Sequence, residues 1–403
     1  MYIKRNLEDK LRKYLPSREI LAVVGPRQSG KTTLLRQLFS GLPKAVFLDF
    51  EDRELVRLFT EDIKAFAELY AKQNKYIFID EFQYAKEGGK QLKFLYDHYP
   101  VKVCISGSSA SELSIQGIRY LVGRVFVFNL YPLSFEEFLS FKNGPLYSLL
   151  VKQPSLSPVI IEKILPYWQE FCVYGGYPRV VLATDPQEKE EVLRNIFNIY
   201  LLKEIREIFN LPDEGFSKLL HALAFQAGNL VNYQELSLLT GLPYKEVIRN
   251  FSVLEKTFIM QRSRPFSRNK RVEVVKTPKL FFVDNGFRNS IIKNFQPLRE
   301  RPDKGLLIEN FVASELLKEG EELHFWRSKS KAEVDFVVEK KGKILPLEVK
   351  SDLLQPKPGK SLFSFLSIYN PEKALVLSST FWMKKGKIIY RPAFMVKKLL
   401  GRR

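Results

Sequence analysis

The segment from residue 25 to residue 33 limits the possible folds of this chain more than any other. It reads Gly-Pro-Arg-Gln-Ser-Gly-Lys-Thr-Thr, follows an apolar run at residues 20–24 and precedes a helical pattern. Its two glycines permit a tight loop whose N–H groups, backed by a helix N-terminus, can point at phosphate groups. A strand, this loop and a helix in that order predict a nucleotide-binding α/β domain.

The residue types of the loop suit ATP and Mg²⁺. Lys31 is expected to reach the β- and γ-phosphates and to be catalytic, and the Thr32 hydroxyl is expected to hold Mg²⁺. The residues predicted to bind the nucleotide are Gly25, Pro26, Arg27, Gln28, Ser29, Gly30, Lys31, Thr32, Thr33 and Ser106.

Two carboxylates, Asp80 and Glu81, follow a second apolar run at residues 76–79. Asp80 is predicted to hold Mg²⁺, directly or through water, and Glu81 to polarise the attacking water. The alternative interpretation is a strand-end turn with two solvated acids. The glycine-rich loop about 50 residues earlier argues against that alternative. The presence of both acids favours hydrolysis over mere binding.

Two further positions are candidates for the same site. Ser106 opens the turn 106–109 after an apolar run, where it either senses the γ-phosphate or belongs to an ordinary Ser/Gly turn. Arg124 precedes another apolar run. It is interpreted either as a catalytic finger that acts on the nucleotide of a neighbouring copy in a homo-oligomer, or as a surface arginine.

Strand-like runs alternate with helical stretches over the first third of the chain, which predicts a parallel sheet covered by helices. The predicted strands are 20–24, 46–50, 76–80, 101–106 and 125–130. The predicted helices include 33–39, 63–71, 134–141, 160–173 and 188–209. A second mixed region after residue 276 has predicted strands at 280–283, 323–326, 334–339, 344–350 and 374–378.

A helix–turn–helix pattern spans residues 229–257. Asn232 is expected to cap the first helix, and a second helix is expected from residue 244 to about 256. Lys245, Arg249 and Asn250 lie away from the apolar stripe of the second helix, where a recognition helix would face DNA.

Two strand-like pieces, 258–262 and 272–275, follow this pattern and flank basic residues that would suit phosphate contacts. These basic residues are Arg262, Arg264, Arg268, Lys270 and Arg271. The whole chain has 64 Lys and Arg against 45 Asp and Glu, a formal charge of +19, which favours a polyanionic partner. DNA is the favoured partner, and a module used for packing or protein contact is the alternative.

A predicted hairpin near the C-terminus carries Asp335, Glu348 and Lys350. Glu348 and Lys350 are two residues apart, so their side chains share one face of a strand. Two acids and a lysine on one face can bind Mg²⁺ and orient a hydrolytic water. Asp335 and Glu348 are therefore predicted metal ligands, with a hairpin of solvated charges as the alternative.

Several motifs occur in order along the chain: the glycine-rich loop, 80–83, 106–109, 123–124, 131–138, 174–178 and 279–286. This series resembles the AAA-type ATPases of bacteria and archaea that carry a C-terminal DUF4143 region. The resemblance covers about residues 1–380. It implies an additional-strand, RecA-like ATPase core, a winged helix and a nuclease-like C-terminal domain.

The C-terminal hairpin also resembles the PD-(D/E)xK nuclease fold, with Asp335 as the Asp and Glu348-Val349-Lys350 as the ExK. In this resemblance Glu309 corresponds to the acid that precedes the hairpin. Glu309, on a helix expected at 306–318, and Asp335, Glu348 and Lys350, on the hairpin, are thus the predicted catalytic residues of this domain.

These inferences predict an α/β chain with four domains: an ATPase at 1–140, a helical segment at 141–225, a winged helix at 226–278 and a nuclease-like domain at 279–403. The favoured function is ATP hydrolysis coupled to DNA handling. The alternative is a nucleotide-dependent switch or adaptor that does not cut. A small-molecule kinase is ranked last because no substrate site is evident.

Composition excludes other classes. Two cysteines, Cys104 and Cys172, exclude a disulfide framework or a Cys-rich zinc site. The N-terminus has charges where a signal peptide needs apolar residues, and no apolar run of about 18 residues occurs. We therefore expect a cytoplasmic protein without membrane contact.

Overall fold

The computed structural model describes residues 2–86, 88–107, 118–153, 155–199, 213–268, 277–353, 355 and 357–400. The chain divides into two compact units. The first unit comprises Met1–Pro132 and Lys256–Phe258, and the second comprises Leu133–Glu255 and Ile259–Arg403. The predicted helical, winged-helix and C-terminal segments thus lie largely in one unit, and their division into three domains stays a prediction.

The first unit is built on a five-stranded parallel sheet with the strand order β2-β3-β4-β1-β5. Its strands are β1 (Ile20–Val24), β2 (Ala45–Asp49), β3 (Tyr76–Asp80), β4 (Lys102–Gly107) and β5 (Val125–Asn129). All five predicted strands are confirmed within one residue at each end. Strand β4 lies between β1 and β3, as the resemblance to additional-strand ATPases implies.

Helices cover this sheet. They are α1 (Asn6–Tyr14), α2 (Lys31–Phe39), α3 (Arg53–Glu61), α4 (Ile63–Phe66), which continues as a π-helical turn (Ala67–Ala71), and α5 (Gly89–His98). Alternate residues of β1 enter two hydrophobic cores: Ile20, Ala22 and Val24 enter one, and Leu21 and Val23 enter the other. Both faces of the strand are buried, which explains its uninterrupted apolar sequence.

The second unit begins with helices α6 (Phe135–Lys142), α7 (Gly144–Lys152), α8 (Pro158–Tyr174), α9 (Pro178–Leu182), α10 (Pro186–Asn195) and α11 (Asp213–Phe225). Ser134 caps α6 in a capping box with Glu137. The helix predicted at 188–209 corresponds to α10, and residues 200–209 lie outside the described part of the chain.

The helix–turn–helix pattern is confirmed as α12 (Tyr233–Thr240), a turn at Gly241, and α13 (Tyr244–Lys256). Asn232 caps α12 by accepting from two backbone N–H groups. Strand β6 (Met260–Pro265) then pairs antiparallel with β7 (Lys279–Phe282).

One expectation for α13 is wrong. Lys245 and Arg249 are exposed, but Asn250 is 1% exposed and cannot face DNA. The α13 side chains Val247, Phe251 and Leu254 lie in the same core as residues of α9–α11. Asn250, three residues after Val247 and four before Leu254, lies on this buried face of α13. Lys270, Arg271 and the strand predicted at 272–275 lie outside the described residues.

Two of the motifs behind the resemblance interlock in the second unit. The Asp284 carboxylate accepts a hydrogen bond from Gly176 N at 2.7 Å and caps α14 (Asn285–Ile291). A Cβ at Gly175 would lie 2.0 Å from Asp284, and one at Gly286 would lie 2.0 Å from the Tyr174 carbonyl oxygen. These glycines allow a close approach of two chain segments, so this pair of motifs has a structural explanation.

The remaining elements are α15 (Lys304–Lys318), β8 (His324–Arg327), β9 (Glu333–Val334), β10 (Phe336–Lys340), β11 (Lys343–Val349), α16 (Lys360–Tyr369), β12 (Ala374–Ser378), β13 (Met383–Lys385), β14 (Ile388–Pro392) and α17 (Val396–Leu399). Two sheets contain the strands, in the orders β10-β11-β12-β14-β13 and β7-β6-β8-β9. Strands β13 and β14 were not predicted. Within the described ranges, every helix is too short or too polar to span a bilayer.

Candidate functional site

The glycine-rich loop joins β1 to α2 and has the backbone that its sequence predicts. Gly30 has a φ of +94°, in the left-handed region that favours glycine. A Cβ at Gly25 would lie 2.1 Å from the carbonyl oxygen of Leu130, so no side chain fits there. Gln28 also has a positive φ, +59°. Both glycines are therefore required by the loop itself.

Lys31 is buried at the start of α2. Its ammonium donates to the carbonyl oxygens of Gly25 at 3.1 Å and Pro26 at 2.9 Å. Burial lowers the pKa of Lys31 to about 8, although the charges of Glu81 and Asp80 raise it. The ammonium thus lies inside the loop, where phosphate oxygens could replace the two carbonyl groups as its partners.

The two acids lie at the carboxyl end of β3. Asp80 is buried, and its carboxylate accepts a hydrogen bond from the Ser106 hydroxyl, which itself accepts from Glu81 N at 3.3 Å. Glu81 has a φ of +51°, a conformation that costs a non-glycine residue about 1–3 kcal/mol. Its carboxylate accepts from the Gln83 side-chain amide. The structure therefore brings Asp80, Glu81 and Ser106 together.

Arg5 is a residue of this site that the sequence did not indicate. Arg5 is 5% exposed, and its guanidinium donates to the carbonyl oxygens of Ser29 at 2.7 Å and Tyr131 at 2.6 Å. Arg5 thus joins the glycine-rich loop to the segment after β5. No local pattern around Arg5 marks it, because both partners are distant in sequence.

These residues fit a nucleotide with its Mg²⁺. The loop admits no side chain at Gly25, and Thr32 follows Lys31 at the start of α2. The Ser29 hydroxyl is buried and has no hydrogen-bond partner within the described part of the chain. A polar group in this state leaves bonding capacity for a ligand.

Arg124 lies at the amino end of β5, whereas the nucleotide-binding loop follows the carboxyl end of β1, which is parallel to it. Its Nε contacts an Asp97 carboxylate oxygen at 3.0 Å, and its guanidinium lies 5.6 Å from the ring centre of Tyr96. The structure therefore does not bring Arg124 to the loop of its own chain. A role on the nucleotide of a neighbouring copy stays a prediction.

A second candidate site lies on the C-terminal hairpin of β10 and β11. Asp335 accepts a hydrogen bond from Val349 N at 2.7 Å. The Lys350 ammonium contacts a Glu348 carboxylate oxygen at 2.7 Å, and Glu348 is 4% exposed. The hairpin and the common face of Glu348 and Lys350 agree with the sequence prediction.

Glu309 on α15 is paired with Lys279, a site residue that no sequence motif indicated. The Lys279 ammonium lies 3.2 Å from Glu309 and 2.6 Å from Glu333. Burial raises the pKa of Glu309 well above its usual range, and the charge of Asp335 adds to the increase. Burial also raises the pKa of Asp335, against the opposing charge of Lys279.

This second site does not fit a divalent ion as it stands. Glu309 is paired with Lys279, Glu348 with Lys350, and Asp335 with a backbone N–H. Among the described residues, no group of three or more His, Cys, Asp or Glu side chains is arranged to hold a metal ion.

The sheet and the loop define a P-loop ATPase-like domain of the AAA class. Residues 17–139 match the family model of an AAA domain. Residues 165–298 and 304–390 match two domains of unknown function, DUF8612 and DUF4143. The resemblance to AAA domains with a DUF4143 region is thereby confirmed at the level of these two matches.

Several similar proteins cover most of this chain. An uncharacterized protein of Haemophilus influenzae is 27% identical over 95% of this chain and 94% of its own length. One from Methanocaldococcus jannaschii is 26% identical over 83% of this chain and 75% of its own length. Among solved structures, a Walker-type ATPase of Pyrococcus abyssi is 17% identical, with 72% of this chain and 96% of that chain covered and a TM-score of 0.45.

Proposed function

We propose that this chain binds ATP with Mg²⁺ and hydrolyses it. The observation that supports this most is the position of Asp80, Glu81 and Ser106 beside one another at the end of β3. Lys31 and the loop would hold the phosphates, and Thr32 and Asp80 would hold the Mg²⁺, which neutralises phosphate charge when bound. Glu81 would orient and polarise the attacking water.

Steady-state ATP hydrolysis tests this proposal. We expect Lys31→Ala to abolish ATP binding and Glu81→Gln to retain binding but lower turnover by about 100-fold or more. Lys13→Ala, which removes an exposed lysine on α1, is the matched control and should hydrolyse ATP normally. Equal turnover in the wild type and Glu81→Gln would contradict the role of Glu81.

We propose further that α12, α13 and the β6–β7 pair form a winged helix that binds DNA. An isolated bridge between Leu230 and Lys279 supplies the additional strand contact typical of that fold. Lys245 and Arg249 are exposed on α13, the helix in the recognition position, and the net charge of +19 favours phosphate contacts. A module for protein contact is the alternative.

The dependence of DNA affinity on salt concentration distinguishes a DNA-binding module from a module for protein contact. The double variant Lys245→Ala/Arg249→Ala should bind duplex DNA more weakly, with a salt slope reduced by up to about two. Lys163→Ala, an exposed lysine on α8, should leave the slope unchanged. If the double variant retains the slope and affinity of the wild type, these two residues do not contact DNA.

The C-terminal domain supports two candidate activities. Cleavage of DNA is favoured by Asp335, Glu348 and Lys350 on one hairpin, beside α15 and α16 as in a PD-(D/E)xK-like fold. A non-cutting adaptor, controlled by the nucleotide, is favoured by the pairing of both Glu309 and Glu348 with lysines. The lysine pairing involves the same carboxylates that a nuclease would need to bind its metal ion, so we favour the adaptor.

A gel assay with Mg²⁺ and duplex or branched DNA decides between them. The adaptor predicts no cut product and ATP turnover that does not require DNA. Product formed by the wild type and lost in Glu348→Ala would instead establish the nuclease. ATP hydrolysis that DNA stimulates, together with that cleavage, would support a coupled DNA enzyme.

We also propose a homo-oligomer in which Arg124 acts on the nucleotide of a neighbouring copy. If Arg124 acts on the nucleotide of a neighbouring copy, turnover per chain should rise with protein concentration, and Arg124→Ala should remove that rise. If the protein is a monomer and hydrolyses ATP at its full rate at every concentration, Arg124 does not act on the nucleotide of a neighbouring copy.

A further inference from the structure

We infer that Lys279 serves as the resident cation of a C-terminal carboxylate cluster, and that this cluster therefore takes no divalent metal ion in the intact chain. The cluster consists of Glu309, Glu333 and Asp335. The Lys279 ammonium lies 2.6 Å from a Glu333 oxygen and 3.2 Å from a Glu309 oxygen. Its side chain is 5% exposed.

The acids of the cluster come from separate elements. Glu309 lies on α15, Glu333 on β9, and Asp335 between β9 and β10. These three acids are half-buried. Carboxylates brought together in such a place repel one another, and a cation among them offsets that repulsion. Lys279 begins β7, which places its ammonium at this point.

The ammonium and a metal ion would compete for the same oxygens. A divalent ion shared by Glu309 and Glu333 needs the oxygen atoms that Lys279 already contacts. It would also lie within a few ångströms of a buried positive charge, which repels it strongly where water does not screen the charge. The Lys279 ammonium is further held 5.6 Å from the ring centre of Phe325.

The groups around the cluster have partners of their own. Glu333 also faces Arg327, with an Nε–Oε2 distance of 3.7 Å. Glu348 accepts from Gly359 N at 3.4 Å and contacts Lys350. The charges of this region are thus compensated by protein groups, which suits a domain that works without a metal. The inference concerns the contents of the cluster and does not depend on ATP hydrolysis.

Binding of Mn²⁺ to nucleotide-free protein tests the inference, with electron paramagnetic resonance of the free ion as readout. Every protein carries Asp80→Asn, so that the acid of the nucleotide site does not contribute. We expect no saturable binding with Lys279 present, and one saturable site in Lys279→Met, with a Kd at least about tenfold below the highest Mn²⁺ concentration at which the protein with Lys279 shows no site. Lys343→Met removes an exposed lysine of β11 and is the matched control, for which we expect no gain.

Two further variants guard against loss of folding in Lys279→Met. Lys279→Arg retains the charge and should still bind no ion. The double variant Lys279→Met/Glu309→Gln removes a charge together with its partner and should lose the Mn²⁺ gained by Lys279→Met. The inference would be overturned if protein that retains Lys279 binds Mn²⁺ saturably and Glu309→Gln abolishes that binding. It would also be overturned if Lys279→Met folds but binds no Mn²⁺.

Discussion

Replacing Arg5 by methionine should weaken the first unit and its nucleotide site together. Arg5 donates to the carbonyl oxygens of Ser29 and Tyr131 at 2.7 and 2.6 Å and is almost fully buried. A hydrogen bond from a charged donor contributes about 1.5–3 kcal/mol. Methionine retains most of the apolar stem but neither donor, and it removes the cost of burying a charge. We therefore expect a net loss of about 2–4 kcal/mol in the free energy of unfolding.

Differential scanning calorimetry with and without ATP measures this effect. At roughly 4 °C per kcal/mol for a domain of this size, the transition of the first unit should fall by about 8–16 °C. ATP affinity should also decrease, because the Ser29 carbonyl belongs to the phosphate-binding loop. Arg57→Met, which removes an arginine of an exposed pair with Glu61, is the matched control and should change little. If Arg5→Met melts within about 2 °C of Arg57→Met, Arg5 does not hold the loop.

Three other outcomes follow from the structure. The pKa of Lys31 is about 8 without nucleotide, so above that pH Lys31 must take up a proton to bind ATP. The affinity for ATP should therefore be constant below about pH 7 and fall by up to about tenfold per pH unit above pH 8. Titration of the protein with ATP at several pH values measures this dependence. Ser106→Ala removes the hydroxyl that donates to the buried acid at the end of β3, and should cost about 1–3 kcal/mol in denaturant unfolding and lower ATP turnover. Gly286→Ala would place a Cβ 2.0 Å from the Tyr174 carbonyl oxygen and should lower the melting temperature of the second unit, whereas Gly144→Ala, with open space around its Cβ, should not.

Much of the fold was predictable because its signals are local. Each strand of the parallel sheet is a short, largely apolar run between helical stretches, so its ends were predicted within one residue. The cap at Asn232 and the helix over 244–256 depend on neighbours within a few residues, and both are confirmed. Strands β13 and β14 were missed. Their residues are a charged, exposed edge strand and its partner, which lack the uninterrupted apolar pattern of a buried strand.

The error at Asn250 has a different cause. Asn250 lies three residues after Val247 and four before Leu254, so the spacing of a helix places it on the same face as the apolar stripe and not away from it. That stripe lies in a hydrophobic core, and Asn250 is buried beside it. Helical spacing alone therefore predicts the burial of Asn250.

The sequence by itself determined the chemistry of the nucleotide-binding loop, the two acids after β3 and the hairpin with Asp335 and Glu348, because these features depend on residue types at short, fixed spacings. Only the tertiary structure decided which partners the charged groups find. Arg5 meets carbonyl groups 24 and 126 residues away, and Lys279 meets Glu309 30 residues away. The physical reason is that strand order and helix packing, rather than local spacing, bring those atoms within hydrogen-bond distance.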